Sequence, residues 1–145
     1  GRTMTILEHT FMVKPLSANN MTYRNKAIKQ RQYIDYQYHL REELRGVEWP
    51  FGSDQVEFYI AVGFSNRAAD LDNVIKPLFD TYQGIFEEFN DNKVYYAELH
   101  KTIVPRGQEY LYVRVGRIHE SKIKEGATYA EEASKLFEKK EDKTS

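Results

Sequence analysis

The 145-residue sequence predicts an α+β protein, built as a mixed sheet of about four strands flanked by helices. Apolar residues alternate with other types over residues 56–64, as in a strand, and recur at helical spacing over residues 25–45. Strand-like and helical segments follow in the order strand, helix, strand, helix, two strands, helix. A chain of this length buries roughly two thirds of its unfolded surface. We therefore expect one domain over residues 4–126, followed by a C-terminal helix and frayed tail over residues 127–145.

Composition narrows the class of protein further. The sequence has no cysteine, which excludes disulfides and thiolate metal sites, and it has no apolar run of the length of a signal peptide or a membrane helix. We expect a cytoplasmic protein with no membrane partner. The net charge is -1, but residues 1–45 carry eight Lys or Arg against four acids, so this third of the chain is at +4. That excess is either ordinary scatter or a footprint for phosphates.

The strands and helices can be placed along the chain by their patterns. Residues 5–13 predict a first strand with two mostly apolar faces, which is typical of a strand inside a sheet, and in it His9 is expected to be packed or hydrogen-bonded. Residues 25–45 predict a helix with a stop at Gly46 and an apolar stripe of Tyr33, Ile34, Leu40 and Leu44. We expect Trp49, in the following turn, to cover an edge of the core.

The C-terminal half predicts two more strands and a last helix. Residues 93–104 and 109–116 have strand patterns, and the four-residue loop 105–108 between them indicates a hairpin. The second of these strands should point Leu111, Val113 and Val115 to the core. Residues 127–140 predict a surface or interface helix with Ala130, Ala133, Leu136 and Phe137 on one stripe.

The most informative stretch is residues 69–91, between two predicted strands, because it brings four Asp and one Lys together. Pro77 is tolerated only in the first turn of a helix, so the helix should begin close to residues 72–74. Asp70 and Asp72 then lie at a strand-to-helix junction. Carboxylates aimed at one point repel unless a cation lies between them.

Two structural readings of these residues compete with a metal site. An Asp before a helix is usually an N-cap, and Lys76 followed four residues later by Asp80 is usually a solvated ion pair. One cap explains only one acid, and another acid, Asp91, follows the helix. Three oxygen ligands suit a hard cation such as Mg²⁺, which binds few carboxylates and keeps several waters.

The stretch D-L-D-N-V-I-K-P-L-F-D at residues 70–80, followed by N-D-N-K-V at residues 90–94, resembles the RusA-type Holliday junction resolvases. The resemblance implies that Asp70, Asp72 and Asp91 are catalytic, metal-binding carboxylates and that Lys76 is a catalytic lysine. It implies a RusA-like fold and a bacterial or phage-encoded homodimer that uses Mg²⁺, with Mn²⁺ as an alternative. Its substrate would be branched DNA, a four-way junction. Asn90 stands where many relatives carry a second acid, and the tail after Ile118 has no clear counterpart.

Candidate DNA contacts come from three places in the sequence. In the resembled family a P-x-S-x-N segment precedes a Tyr or Arg near the active site, which implicates Asn19, Tyr23 and Arg24. Lys26, Lys29 and Arg31 crowd the first half of a predicted helix, where cations oppose the helix dipole, so they indicate either phosphate contacts or a solvated face. Arg67 follows a strand beside the acids. Glu98 is an additional candidate for the metal, against the reading of an exposed strand acid.

The functional hypothesis is a magnesium-dependent, structure-selective endodeoxyribonuclease that resolves four-way junctions in DNA recombination and repair. A water activated by the ion would attack the phosphodiester. Two alternatives remain open at this point, a non-catalytic module that binds branched DNA and a structural protein that binds a divalent cation.

Overall fold

The computed structural model describes residues 4–16 and 26–144, without the side chains of residues 26–29 and 141–144. In this part of the chain a four-stranded mixed sheet is accompanied by three helices, which confirms the predicted α+β class. The elements are β1 (Ile6–Phe11), α1 (Lys26–Glu43), β2 (Val56–Phe64), α2 (Ile75–Ile85), β3 (Val94–Ile103), β4 (Tyr110–Arg117) and α3 (Glu120–Thr144). Short 3₁₀ turns, Leu71–Val74 and Asp91–Lys93, precede α2 and β3. No helix among the described residues has the length and apolar character needed to cross a membrane.

The sheet is built around β2, the strand with the clearest pattern in the sequence. The strand order is β1-β4-β2-β3, and β2 pairs with β3 in parallel and with β4 in antiparallel orientation. The side chains that β2 sends to one face, from Val56 to Val62, are fully buried. With hydrogen-bonded neighbours on both edges, this strand satisfies its backbone groups inside the protein.

The predicted hairpin between the last two strands is wrong. β3 and β4 do not pair with each other, because β2 lies between them. Their connection passes over the end of β2, where the Val104 N–H donates to the Phe64 carbonyl at 2.8 Å. The Ser65 hydroxyl donates to the Glu109 carboxylate at 2.9 Å in the same place. The loop 105–108 therefore spans about two strand spacings, roughly 10 Å, instead of one.

The prediction that the first strand lies inside the sheet is also wrong. Among the strands of the described chain, β1 lies at an edge of the sheet and pairs with β4 alone. Its residues Leu7 and Phe11 are buried, whereas Ile6 is 49% exposed and Met12, just beyond it, is 67% exposed. The apolar residues on its second face therefore lie on an open side of the sheet. Apolar side chains are common on protein surfaces, so two apolar faces did not establish a central strand.

Helices α1 and α2 cover one face of the sheet. Tyr36 and Leu40 of α1 are buried in the same core as the β2 side chains, and so is Leu44, directly after the helix. Ile34, which we predicted on this stripe, is 61% exposed. The buried stripe begins at Tyr36 and continues at every fourth residue, at Leu40 and Leu44, so it lies on a different side of the helix from Ile34. From α2, Tyr82 packs on Phe58 with ring centroids 6.0 Å apart.

The structure confirms that Trp49 lies at the edge of this core, as predicted. It is 9% exposed, and its ring contacts Phe51, Phe86 and Phe89 with centroid distances of 5.0, 5.4 and 4.7 Å. The indole N–H donates to the Gly52 carbonyl at 3.2 Å, so the polar atom of this buried ring is satisfied. His9 is packed as predicted, on Phe11, but its buried Nδ1 has no hydrogen-bond partner among the described residues.

The last helix begins seven residues before its predicted start at Ala127. α3 starts at Glu120, and the His119 ring accepts a hydrogen bond from the Ser121 N–H at 3.1 Å, which caps the first turn. Gly126 lies inside the helix. Because glycine is a weak helix former, the sequence pattern placed the helix start directly after it, at Ala127. An interior glycine costs about 0.5–1 kcal/mol relative to alanine, which a helix of 25 residues can accommodate.

We expect Tyr82→Phe to stabilise the protein. The Tyr82 hydroxyl is buried and has no hydrogen-bond partner among the described residues, and burial raises the pKa of this phenol well above its ordinary value. An unsatisfied buried polar group costs about 1–3 kcal/mol, so its removal should raise the free energy of unfolding by about 1 kcal/mol. Urea denaturation followed by circular dichroism measures this change. Phe58→Ala is the control, with an expected loss of about 3–5 kcal/mol. A less stable Tyr82→Phe variant would contradict the prediction.

Candidate metal site

The loop that carries the acidic stretch is tied to the sheet. The Lys101 ammonium, on β3, donates to the backbone carbonyls of Arg67 and Ala69. The same ammonium lies 5.8 Å from the centre of the Phe64 ring at the end of β2. These contacts hold residues 65–69 against the sheet and so determine where Asp70 enters the next turn.

Asp70 lies at the position that an N-cap residue occupies, but its side chain does not cap. Its backbone is extended, with φ -95° and ψ 131°, immediately before the 3₁₀ turn, and no cap hydrogen bond reaches its carboxylate. Its carbonyl accepts the Asn73 N–H at 3.4 Å. The competing interpretation, in which this carboxylate serves as the cap of the helix, is therefore not supported at Asp70. The residue is exposed.

Asp72 and Lys76 follow on the helical side of the junction. The chain turns at Leu71, so Asp72 already lies in the first 3₁₀ turn, and the predicted helix start near residues 72–74 is confirmed. The Lys76 ammonium lies 3.4 Å from the Asp80 carboxylate, and these side chains are 86% and 39% exposed. The pair has the geometry of an ordinary one-turn ion pair, which in solvent contributes a few tenths of a kcal/mol.

Asp91 lies toward the other end of α2. Its backbone N–H donates to the side-chain carbonyl of Gln83 at 2.9 Å. Gln83 is eight residues beyond Ile75, the first residue of α2, which corresponds to about 12 Å along the helix axis. Within one chain, the structure therefore places Asp70 and Asp72 at one end of α2 and keeps Asp91 apart from them.

The neighbouring Asn90 has a structural function. Its side-chain oxygen accepts the Asn92 N–H at 3.0 Å, and it is the N-cap of the 3₁₀ turn before β3. An amide at this position supplies the capping oxygen without adding a charge beside Asp91.

In the part of the chain that the structure describes, no three Asp, Glu or His side chains lie close enough together to hold a metal ion. At the start of α2 one chain provides Asp70 and Asp72, and both residues are exposed. Two carboxylates fit a magnesium ion that keeps most of its water ligands, because Mg²⁺ is commonly bound through one or two carboxylates and substrate phosphates.

Glu98, the additional metal candidate, has other partners. Its carboxylate contacts the His100 Nε2 at 3.0 Å and accepts the Tyr96 hydroxyl at 3.3 Å. The hydrogen bond from His100 holds the pKa of this carboxyl below its usual value, with a smaller contribution from Tyr96. Glu98 therefore belongs to a polar cluster on the sheet surface.

The predicted DNA contacts are only partly described. Asn19, Tyr23 and Arg24 lie outside the described residues, as do the side chains of Lys26 and Lys29. Arg31 is an exposed residue of α1, and Arg67 is an exposed residue of the loop that leads to Asp70. These two are placed where solvent and a ligand can reach them.

The face of the sheet opposite α1 and α2 carries a polar and aromatic surface that the sequence pattern does not predict. Four cross-strand neighbours share one row of this face, Glu8, Arg114, Tyr59 and Glu98. The Arg114 guanidinium lies 4.2 Å from the centre of the Tyr59 ring. The Tyr59 hydroxyl donates to the Glu57 carboxylate at 2.6 Å. This hydrogen bond is the main reason why the pKa of Tyr59 is raised to about 12. The alternation of residue types along β2 could have indicated that Tyr59 lies on this face. It does not show which residues of the other strands lie beside Tyr59 in the sheet.

No protein-family model matches this chain, and no curated protein matches it. Among solved structures, it is similar to a chain of a helical model of the TubZ-Bt four-stranded filament, with 12% identity and a TM-score of 0.35. The alignment covers 97% of this chain and spans 31% of that chain. A similarity at this level carries no argument about fold or function.

We expect Glu109→Gln to destabilise the protein at neutral pH and much less in acid. Glu109 accepts hydrogen bonds from its own N–H, from Ser65 and from Gly107, and these hold the pKa of its carboxyl below the usual 4.5. A lowered folded-state pKa stabilises the protein above the unfolded-state pKa, and this stabilisation is lost as pH falls through the folded-state pKa.

The melting temperatures of wild type and variant should therefore differ most near pH 7 and converge only in acid, as pH falls from 4.5 through the lowered folded-state pKa. Glu87→Gln, at an exposed turn position, is the matched control and should show no such convergence. A difference between wild type and Glu109→Gln that stays constant from neutral to acid pH would contradict this account.

Proposed function

We propose that this protein is a magnesium-dependent endodeoxyribonuclease that resolves four-way DNA junctions by paired phosphodiester hydrolysis. The observation that carries the proposal is the pair Asp70 and Asp72, two exposed carboxylates at a helix start, with Lys76 in the next turn. The resemblance to RusA-type resolvases over residues 70–94 supplies the reaction class and the substrate.

In this mechanism Asp70 and Asp72 hold Mg²⁺, with Mn²⁺ as an alternative. When bound, the ion supplies Lewis-acid chemistry, which lowers the pKa of a coordinated water and stabilises negative charge on the phosphate. Lys76 adds a positive charge one turn away, on the same end of α2. Its 86% exposure leaves the ammonium accessible to a phosphate group of the substrate.

Asp91 needs a second copy of the chain in order to join this site. Its N–H contacts the side chain of Gln83, which lies about 12 Å along α2 from the start of the helix. Asp91 also precedes β3, which begins beside the first residue of β2, whereas Asp70 follows the last residue of β2. The three carboxylates of a single chain are therefore too far apart for one ion. A two-fold dimer also suits the substrate, because opposing cuts in a four-way junction require two sites related by symmetry. We therefore assign Asp91 to the site of the other copy in a homodimer.

Contacts to the DNA backbone would come from the basic residues of the first third of the chain and from Arg67. Residues 1–45 have a net charge of +4, which favours phosphate binding on a chain whose overall charge is -1. Arg31 and Arg67 are exposed, as such contacts require. A non-catalytic module for branched DNA would share these contacts but would not need the acids.

Asp70→Asn should abolish cleavage of a synthetic four-way junction in Mg²⁺ and leave junction binding intact, because it removes a metal-ligand charge without changing the shape of the side chain. Cleavage is measured on labelled junctions, and binding by gel shift in Ca²⁺. Asp54→Asn, at an exposed Asp that pairs with Arg117, is the matched control and should cut normally. Cleavage by Asp70→Asn at the wild-type rate would reject the site, and wild-type binding without cleavage would favour the non-catalytic module.

A mixing experiment tests the assignment of Asp91. Asp91→Asn alone should be inactive, but mixed with Asp70→Asn and allowed to exchange subunits it should regain about a quarter of the wild-type sites. The reason is that half of the dimers are mixed, and each mixed dimer has one site with both native carboxylates. If all three acids acted within one chain, the mixture would stay inactive.

Lys76→Met should reduce kcat by about a hundredfold with little change in junction affinity, because stabilisation of developing charge acts mainly in the transition state. Lys76→Arg should restore little of this loss. Single-turnover cleavage measured against Mg²⁺ concentration separates this function from simple pairing with Asp80. Full recovery of Lys76→Met at saturating Mg²⁺ would show that Lys76 is only a counter-ion.

A further inference from the structure

The C-terminal helix carries a large apolar surface that no other part of the described chain covers. Every residue from 123 to 140 is exposed, including four large apolar side chains. The exposed fractions are 50% for Ile123, 69% for Tyr129, 67% for Leu136 and 69% for Phe137. The start of α3 contacts the sheet, where the Lys122 ammonium lies 4.6 Å from the centre of the Tyr96 ring.

We propose that α3 pairs in antiparallel orientation with α3 of a second copy of this chain, with the two-fold axis at Ala130. Ile123, Ala130 and Phe137 are spaced by seven residues, so they form one row along the helix. A two-fold axis at Ala130 places Ile123 of each copy against Phe137 of the other. A surface that pairs with itself in this way closes into a dimer.

The residues between these ends match the same axis. Gly126 and Ser134 lie four residues on either side of Ala130, and Ala127 and Ala133 lie three residues on either side. Antiparallel pairing thus places small residues opposite small residues in the middle of the contact. Small side chains allow the helix axes to approach to about 8 Å, the short end of the usual range. The large residues at both ends then pack against each other.

The charges beside the apolar row favour the same orientation. Lys124, Glu131 and Glu138 follow the apolar row one residue further on, again with a spacing of seven, and Lys124 and Glu138 are both exposed. In the antiparallel pair, Lys124 of each copy lies within about 3 Å, along the helix axis, of Glu138 of the other, which gives two attractive contacts. Glu131 meets Glu131 of the other copy near the axis and gives one repulsive contact. Glu120 of each copy meets Glu138 of the other at the same axial distance, and Lys122 meets Lys140, which adds four repulsive contacts. The charges therefore favour antiparallel over parallel pairing, in which each charge would face the same residue of the other copy, but they add no affinity.

The area is adequate for a weak, specific dimer. The four large apolar side chains expose about 400 Å² per copy, judged from the area that such side chains bury in cores. With the small residues and the flanking stems, the pair would bury about 1,000 Å² in total, near the lower limit for a biological interface. We therefore expect a weak dimer that dissociates on dilution.

This inference rests on the proposed function only for the expectation of a two-fold dimer. The contact surface lies after Ile118, outside the stretch that resembles the resolvase family, and it is read from the exposed face of α3. It names the surface that holds the copies together and makes no use of the acids or of DNA.

The test is sedimentation equilibrium of the full chain without DNA or metal, from about 0.5 to 100 µM. Wild type should be a dimer at the upper end, and Phe137→Glu should raise the dissociation constant at least tenfold. Tyr38→Glu is the matched control, because Tyr38 on α1 is 65% exposed and lies off the proposed surface, and it should associate like wild type. Circular dichroism checks that each variant is folded. A monomeric wild type, or a Phe137→Glu variant that associates unchanged, would overturn the proposal.

A charge exchange tests the orientation. Lys124→Glu should weaken the dimer severalfold, because the introduced carboxylate would face Glu138 of the other copy at two symmetric places, and adding Glu138→Lys should restore the wild-type constant. Failure of the double variant to recover would reject the antiparallel register. Junction cleavage by the same variants is measured separately. Loss of cleavage in a variant that still associates would contradict the proposed nuclease site. Loss of association in Tyr38→Glu as well would contradict the assignment of the α3 surface.

Discussion

The structure depends on the requirement that β2 be hydrogen-bonded on both edges while one of its faces is buried. Val56, Phe58, Ile60 and Val62 are fully buried, and a strand of this kind is most stable with neighbours on both sides. β3 and β4 take these places, which prevents them from pairing with each other. The loop that joins them must then cross the end of β2, where Ser65 and Glu109 meet. The loop that leads to Asp70 starts at this point.

A second consequence of the layered fold is the difference between the two faces of the sheet. α1 and α2 cover the apolar face, whereas the opposite face carries tyrosines and charges among the described residues. At one end of this face Glu57 is 5% exposed, and it accepts the Tyr59 hydroxyl at 2.6 Å and the His119 N–H at 3.1 Å. The hydrogen bond from His119 anchors the start of α3 on the sheet, whereas residues 123–140 of the helix are exposed, including its apolar row.

The orientation of α2 decides how the acids can act. Because α2 connects two parallel strands, it runs back along the sheet, with Asp70 and Asp72 before its first turn and Asp91 beside its last turns. The acids lie close in sequence but not in space. For this reason the proposed chemistry depends on the association of two chains, and an interface such as the α3 surface would affect activity without contacting the substrate.

The sequence by itself determined the local features of this protein. Alternation identified β2, the helical patterns identified α1 and α2, and Pro77 located the start of the helix beside Asp70 and Asp72. These features depend on neighbours within a few residues, so the pattern contains the information. Only the tertiary structure decided that β1 is an edge strand, that β2 separates β3 from β4, and that Asp91 is apart from the other acids. Strand pairing is determined by burial and by hydrogen bonds between residues far apart in the chain. The periodicity of apolar residues along the sequence contains no information about those contacts.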